Sequence, residues 1–126
     1  MSNPQLIMKQ VDSVLGDVVL PVRITIMDSE GLEIYSTQSS DEAMEAGSTD
    51  VLGILAFEKL TNEVSSRGKV IDTLIFRTEN REFFIAPVGE DFFLSAETAT
   101  GRIAPLLTFL DGLRAQITHV IKTVSE

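Results

Sequence analysis

Near the start of the chain apolar residues recur at helical spacing. Ile7, Val11, Val14 and Leu15 fall on one face, Pro4 stands where a first-turn proline is tolerated, and Gly16 ends the pattern. The spacing predicts a helix from about residue 4 to 15. The period then changes to two. Val22-Arg23-Ile24-Thr25-Ile26-Met27 alternates, Asp28-Ser29-Glu30-Gly31 supplies turn chemistry, and Leu32-Glu33-Ile34-Tyr35 alternates again, as in a hairpin. Ser39 with Glu42 matches a capping box, and the composition is helical as far as Ser66, although Gly47 competes as a break that moves the start to about Ser48. Arg67-Gly68 closes this second helix. Three apolar runs follow, Val70 to Phe76, Glu82 to Val88 and Asp91 to Ala96, separated by Thr78 to Arg81 and by Gly89-Glu90. A last helix runs from about Gly101 to Val124 with Pro105 in its first turn. The order is α-β-β-α-β-β-β-α, an α/β chain of the α+β type.

The runs differ in how many faces they must bury. Phe83-Phe84-Ile85-Ala86 and Phe92-Phe93-Leu94 are apolar on both sides of the pleat, which places strands four and five centrally with helices over both faces. The last helix gathers Ile103, Leu106, Leu107, Phe109, Leu110, Leu113, Ile117, Val120, Ile121 and Val124 into one arc, opposite Thr108, Asp111, Gln116, His119 and Lys122, so the core alone explains it. The second helix has two apolar faces. Gly53, Ala56, Phe57, Leu60 and Val64 make one; Val51, Ile54 and Leu55 make another roughly opposite. A helix lying on one sheet buries one stripe, so the other needs either the loop from Ser36 to Gly47 folded over it or a partner surface. Strand three, first of the meander, lies at a sheet edge if strand five pairs with strand one, and an open edge is a pairing template.

Composition narrows the function classes. At 126 residues, 44% apolar and 23% charged, the chain has the length and balance of one folded domain, read as spanning 1–126. It has no cysteine, which excludes disulfides, thiolate catalysis and zinc ribbons and makes the cytoplasm the expected compartment. Met1 to Leu15 lacks a basic segment followed by a continuous apolar run, so no signal peptide is expected, and no window approaches the ~20 apolar residues of a membrane span. Ten basic against nineteen acidic residues give a net charge of −9, which repels phosphate backbones and anionic lipid heads. Neither nucleic acid nor direct membrane insertion is expected.

Asp28-Ser29-Glu30-Gly31 followed by Leu32-Glu33-Ile34-Tyr35-Ser36 resembles the "D-x-x-G-x-x-I-x-S" hairpin of the Roadblock (dynein light chain) family. Phe84 to Leu94 is similar to that family's fourth and fifth strands, and Thr100-Gly101-Arg102 to its last-helix entry. With the element order, the resemblance covers nearly the whole chain. Longin domains share the sheet but begin with a strand hairpin, whereas this chain begins with a helix. The resemblance implies a profilin-like fold with a five-stranded, mostly antiparallel sheet, one helix on one face and two on the other. It also implies dimers formed through the second helix and third strand, which here assigns Val51, Ile54, Leu55, Glu58, Asn62, Val70, Asp72 and Leu74 to the interface. The implied partners are a second copy or a paralogous Roadblock-like subunit, and a small Ras-like GTPase whose nucleotide cycle the dimer modulates.

Catalytic chemistry is absent as a set. The one histidine, His119, falls on the polar side of the last helix, Asp41-Glu42 with Glu45 reads as a solvated helix start, and the glycines never reach phosphate-loop spacing. No catalytic residue, cofactor or metal is expected. Six arginines, at 23, 67, 77, 81, 102 and 114, are scattered, and the sequence does not rank them as fingers into a GTPase site. The other readings are a ligand-sensing PAS or profilin-like domain, a structural adaptor of a motor or membrane-associated complex, and an enzyme.

Overall fold

The computed structural model describes residues 4–15, 22–37 and 48–125. In chain order these form α1 (Pro4–Leu15), β1 (Val22–Asp28), β2 (Glu33–Ser36), α2 (Ser48–Ser65), β3 (Leu74–Arg77), β4 (Arg81–Pro87), β5 (Phe92–Ala99) and α3 (Ile103–Ser125). The element order is the expected one. The capping box of Ser39 with Glu42, the acidic run Asp41-Glu42-Glu45 and Gly47 lie outside the described residues.

The hairpin between β1 and β2 is built on Asp28. One carboxylate oxygen accepts the backbone N–H groups of Glu30 and Leu32, each at 2.9 Å, while the Asp28 carbonyl accepts Gly31 N–H at 3.0 Å. Gly31 has φ of +87°, a conformation that costs an L side chain about 1–2 kcal/mol. An aspartate three residues before a glycine is therefore what this turn requires.

The strands join in the order β2-β1-β5-β4-β3, antiparallel at every junction. β5 closes the meander by entering between β1 and β4, which leaves β2 and β3 as the edges. Residues of one parity in β1, β4 and β5, including Ile24, Ile26, Phe84, Ala86 and Leu94, meet α1 and α3 through Ile7, Val11, Leu110, Leu113 and Ile117. Those of the other parity, Met27, Ile85 and Phe93, meet α2 through Ile54 and Phe57. Two helices thus cover one face and one helix the other. Each fully buried side chain of this size contributes about 1.5–3 kcal/mol, so the α1–α3 layer carries most of the apolar burial.

Two details depart from expectation. Phe109, assigned to the apolar arc of α3, stands exposed on its flank. β3 is four residues rather than seven, for a reason that bears on the interaction surface.

Candidate interaction surface

α2 lies on the sheet with Asp50, Gly53, Ile54 and Phe57 buried and Thr61 and Val64 half-buried. Gly53 allows the approach, since a Cβ there would meet Phe76 at 2.9 Å and Ile85 at 3.0 Å. Phe57 packs edge-on against Phe93 with ring centroids 5.5 Å apart. The sequence places Ile54 on the outer stripe, and the structure corrects this: Ile54 is 1% exposed, inside the core. Ala56 and Leu60, assigned to the inner stripe, are exposed. The helix is turned from the expected orientation because the run Val51 to Phe57 is apolar on every side, and its fit to the sheet is set by Gly53 and by the inward Asp50.

Its outer face presents Leu52 and Leu55, 64% and 57% exposed, flanked by Ala56 and Leu60 and bordered by Glu58, Lys59, Asn62 and Glu63. Val51 is half-buried beside the hairpin turn, within 3.0 Å of where a Gly31 Cβ would stand. Of the assigned interface residues on α2, Leu55, Glu58 and Asn62 lie outward and Val51 lies at the margin. Leu52 was missed, although its three-residue spacing from Leu55 puts the two on one face.

The assigned residues near β3 divide similarly. Leu74 opens the strand and packs inward beside Phe76 against the core under α2, so it offers the edge its backbone rather than its side chain. Val70 and Asp72 precede the strand, and Val70 is 90% exposed. The β3–β4 register would set Asp72 opposite Pro87, which has no N–H to give. The Pro87 carbonyl already accepts Arg114 Nε at 2.9 Å, and Arg114 Nη1 holds the Asp72 carboxylate at 2.8 Å. Asp72 is thereby tied to α3 while Ile71 beside it packs against the core under α2, and the ladder stops at Leu74. This hydrogen-bonded guanidinium holds Asp72 below the usual carboxylate range.

Beneath the start of α2 the sheet is polar. Ser95 donates to the Asp50 carboxylate at 2.6 Å; Arg23 donates to Ser36 Oγ at 3.0 Å and to Glu33 at 3.1 Å; and Arg81 meets Glu97 at 3.2 Å. Asp50 is 2% exposed, and burial raises it above the ordinary carboxylate range against the opposing Ser95 hydrogen bond. Glu97 is raised by burial and by the charge of Asp50. Of these residues the sequence singled out only Arg23 and Arg81, as two of six unranked arginines; for Asp50, a carboxylate on the inward arc of a helix was the available signal.

No group of three or more metal-ligating side chains occurs among the described residues. His119 is exposed on α3, beside an open groove of about 620 Å³ lined also by Asp72, Asp111, Arg114 and Lys122. This groove runs along the outside of α3. Arg23, Arg81 and Arg114 are committed to carboxylates, whereas Arg67, Arg77 and Arg102 stand exposed.

Neither a family model nor a curated protein matches the chain. Solved structures do. The gliding protein MglB from Thermus thermophilus is similar over 98% of this chain and 94% of its own, at 8% identity and a TM-score of 0.73. Myxococcus xanthus MglB is similar over 98% and 93%, at 12% identity and 0.72. A Roadblock/LC7 domain from Streptomyces avermitilis is similar over 99% and 96%, at 11% identity and 0.56. At such identities the likeness is one of fold, and the fold is Roadblock-like.

Proposed function

We propose that this chain, read as a single Roadblock-like domain over 1–126, is a non-enzymatic subunit that pairs with a second copy or a paralogous subunit, and that the pair binds a small Ras-like GTPase and modulates its nucleotide cycle in the cytoplasm. The observation that carries the reading is the outer face of α2, where Leu52 and Leu55 stand exposed on the helix that covers one face of the sheet, in a sheet that ends, among the described residues, at β3. Pairing removes both liabilities at once, since an isolated apolar helix face and an unpaired strand edge are each templates for association. No helix among the described residues is long and apolar enough to cross a membrane.

The GTPase part rests on the family resemblance. A Ras-like GTPase carries its own magnesium, phosphate-binding backbone and water-positioning residue, and a bound dimer can alter its cycle by ordering the switch loops without adding a reacting group. The test is capture of GTPases from native lysate on the immobilised chain, followed by hydrolysis and nucleotide-release rates with and without it. A captured Ras-like GTPase with a changed rate is expected; the absence of any such GTPase from the captured set counts against the reading.

A further inference from the structure

The polar floor beneath α2 is a misfit in an otherwise apolar helix-to-sheet contact. Two guanidinium groups, Arg23 from β1 and Arg81 from β4, face three carboxylates there: Glu33 from β2, Glu97 from β5 and Asp50 from α2 itself. Glu33 and Glu97 each have a guanidinium within 3.2 Å, whereas the Asp50 carboxylate rests on the Ser95 hydroxyl, with Thr25 and Ser36 filling the floor nearby. The most deeply buried of the three carboxylates is thus held by a neutral donor. Its position matters because Leu52 and Leu55 follow it within two turns on the face that the proposed pairing uses, with Val51 at the margin.

We infer that Asp50, seated on Ser95 within the Arg23, Glu33, Glu97 and Arg81 cluster, is a proton-operated latch that sets how firmly the first turn of α2 is held on the sheet, and hence how well the outer face of that helix is presented for pairing. With Asp50 ionised, a desolvated charge favours brief opening of that turn to water; with Asp50 neutral, the turn is held closed. Because burial raises the folded-state value above the unfolded one, the stabilisation is complete below the ordinary aspartate range and is lost as pH rises through the folded value. Acidification therefore tightens the helix and the pair, and each unit of separation between the two values is worth up to about tenfold in the coupled equilibrium. The inference rests on α2 being the pairing surface.

The experiment is sedimentation equilibrium of the full chain and of Asp50→Asn at high salt, from about pH 8 to about pH 5, with the Asp50 side-chain carboxyl followed by carbon NMR. The wild-type dissociation constant is expected to fall on acidification by more than that of Asp50→Asn, so that the gap between the two narrows toward the acid end. Parallel curves overturn the latch. If neither protein pairs at any pH, the α2 interface reading fails, and the latch then stands or falls on the NMR titration together with amide protection at residues 51–55. An Asp50 midpoint in the ordinary aspartate range overturns it. Should Asp50→Asn not fold, Ser95→Ala replaces it: loss of the hydroxyl that favours the ionised carboxylate should move the Asp50 midpoint further up, and an unmoved midpoint overturns the inference.

Discussion

Gly53 and Gly112 are both helical glycines, and the structure separates them. A Cβ at Gly53 meets the Phe76 ring at 2.9 Å and Ile85 at 3.0 Å, whereas one at Gly112 meets nothing within 4 Å. Gly53→Ala should therefore lose about 1–3 kcal/mol through overpacking. Gly112→Ala should gain about 0.5–1 kcal/mol from helix propensity alone. Urea unfolding of the two variants checks both signs; equal effects would mean that α2 does not approach the sheet as closely as described. Asp72 gives a pH prediction of opposite sense to Asp50. Its carboxyl is held down by Arg114, so its contribution is present above the ordinary aspartate range and is lost as pH falls through the lowered folded value. Because Asp72 is largely exposed, Asp72→Asn should cost no more than ~1 kcal/mol near neutrality, and the difference should vanish in acid. Thermal melts of variant and parent across that range measure it.

At the scale of elements, α2 is the informative one, since neighbouring residues are assigned to opposite environments. Leu55→Glu should weaken self-association while leaving the helical signal unchanged, because an ionised carboxylate in an apolar contact costs on the order of several kcal/mol when fully desolvated. Ile54→Ala should instead lower the stability of the fold itself by about 2–5 kcal/mol, as buried Ile truncations do. Light scattering for the first and chemical denaturation for the second test the orientation of the helix. If Leu55→Glu unfolds the chain while Ile54→Ala only shifts its mass, the helix faces are assigned the wrong way round. β3 adds a smaller lesson. Its length is set less by the apolar run than by Pro87, which has no N–H to offer, and by the Arg114 side chain that occupies its carbonyl.

At the scale of the whole molecule, the proposed pair would have to act on a GTPase by positioning or by an inserted side chain. Arg67, Arg77 and Arg102 are the exposed arginines that remain candidates for insertion into a GTPase site. Positioning alone predicts that alanine at any of the three reduces the rate effect only as far as it reduces binding. An inserted finger would instead be worth on the order of a thousandfold or more. Single-turnover hydrolysis at saturating dimer distinguishes the two, and a variant that binds normally yet loses the rate effect identifies that arginine as a finger. The unmodified chain should be a dimer at micromolar concentration; a monomer throughout that range would remove the premise.

Much of this architecture follows from local rules that a sequence states openly. The Asp28 to Gly31 turn, the alternation in β1, the doubly apolar Phe84 and Phe93 strands and the single arc of α3 each depend on neighbours within a few residues, so periodicity and turn chemistry specified the element order and the two-sided sheet. The sequence also marked α2 as the helix with surplus apolar surface. It did not fix which leucines face outward, since a run apolar on every side, as Val51 to Phe57 is, has no preferred face until it meets a sheet. Ile54 went inward and Leu52 outward because contacts with β3, β4 and β5, distant in sequence, selected the rotation. The extent of β3 and the polar floor under Asp50 were likewise tertiary decisions. Arg114 and Asp72 are 42 residues apart and Ser95 and Asp50 are 45 apart, separations that no local pattern reports. What a side chain prefers is written locally, but which partner satisfies it is settled only when the sheet brings the strands together.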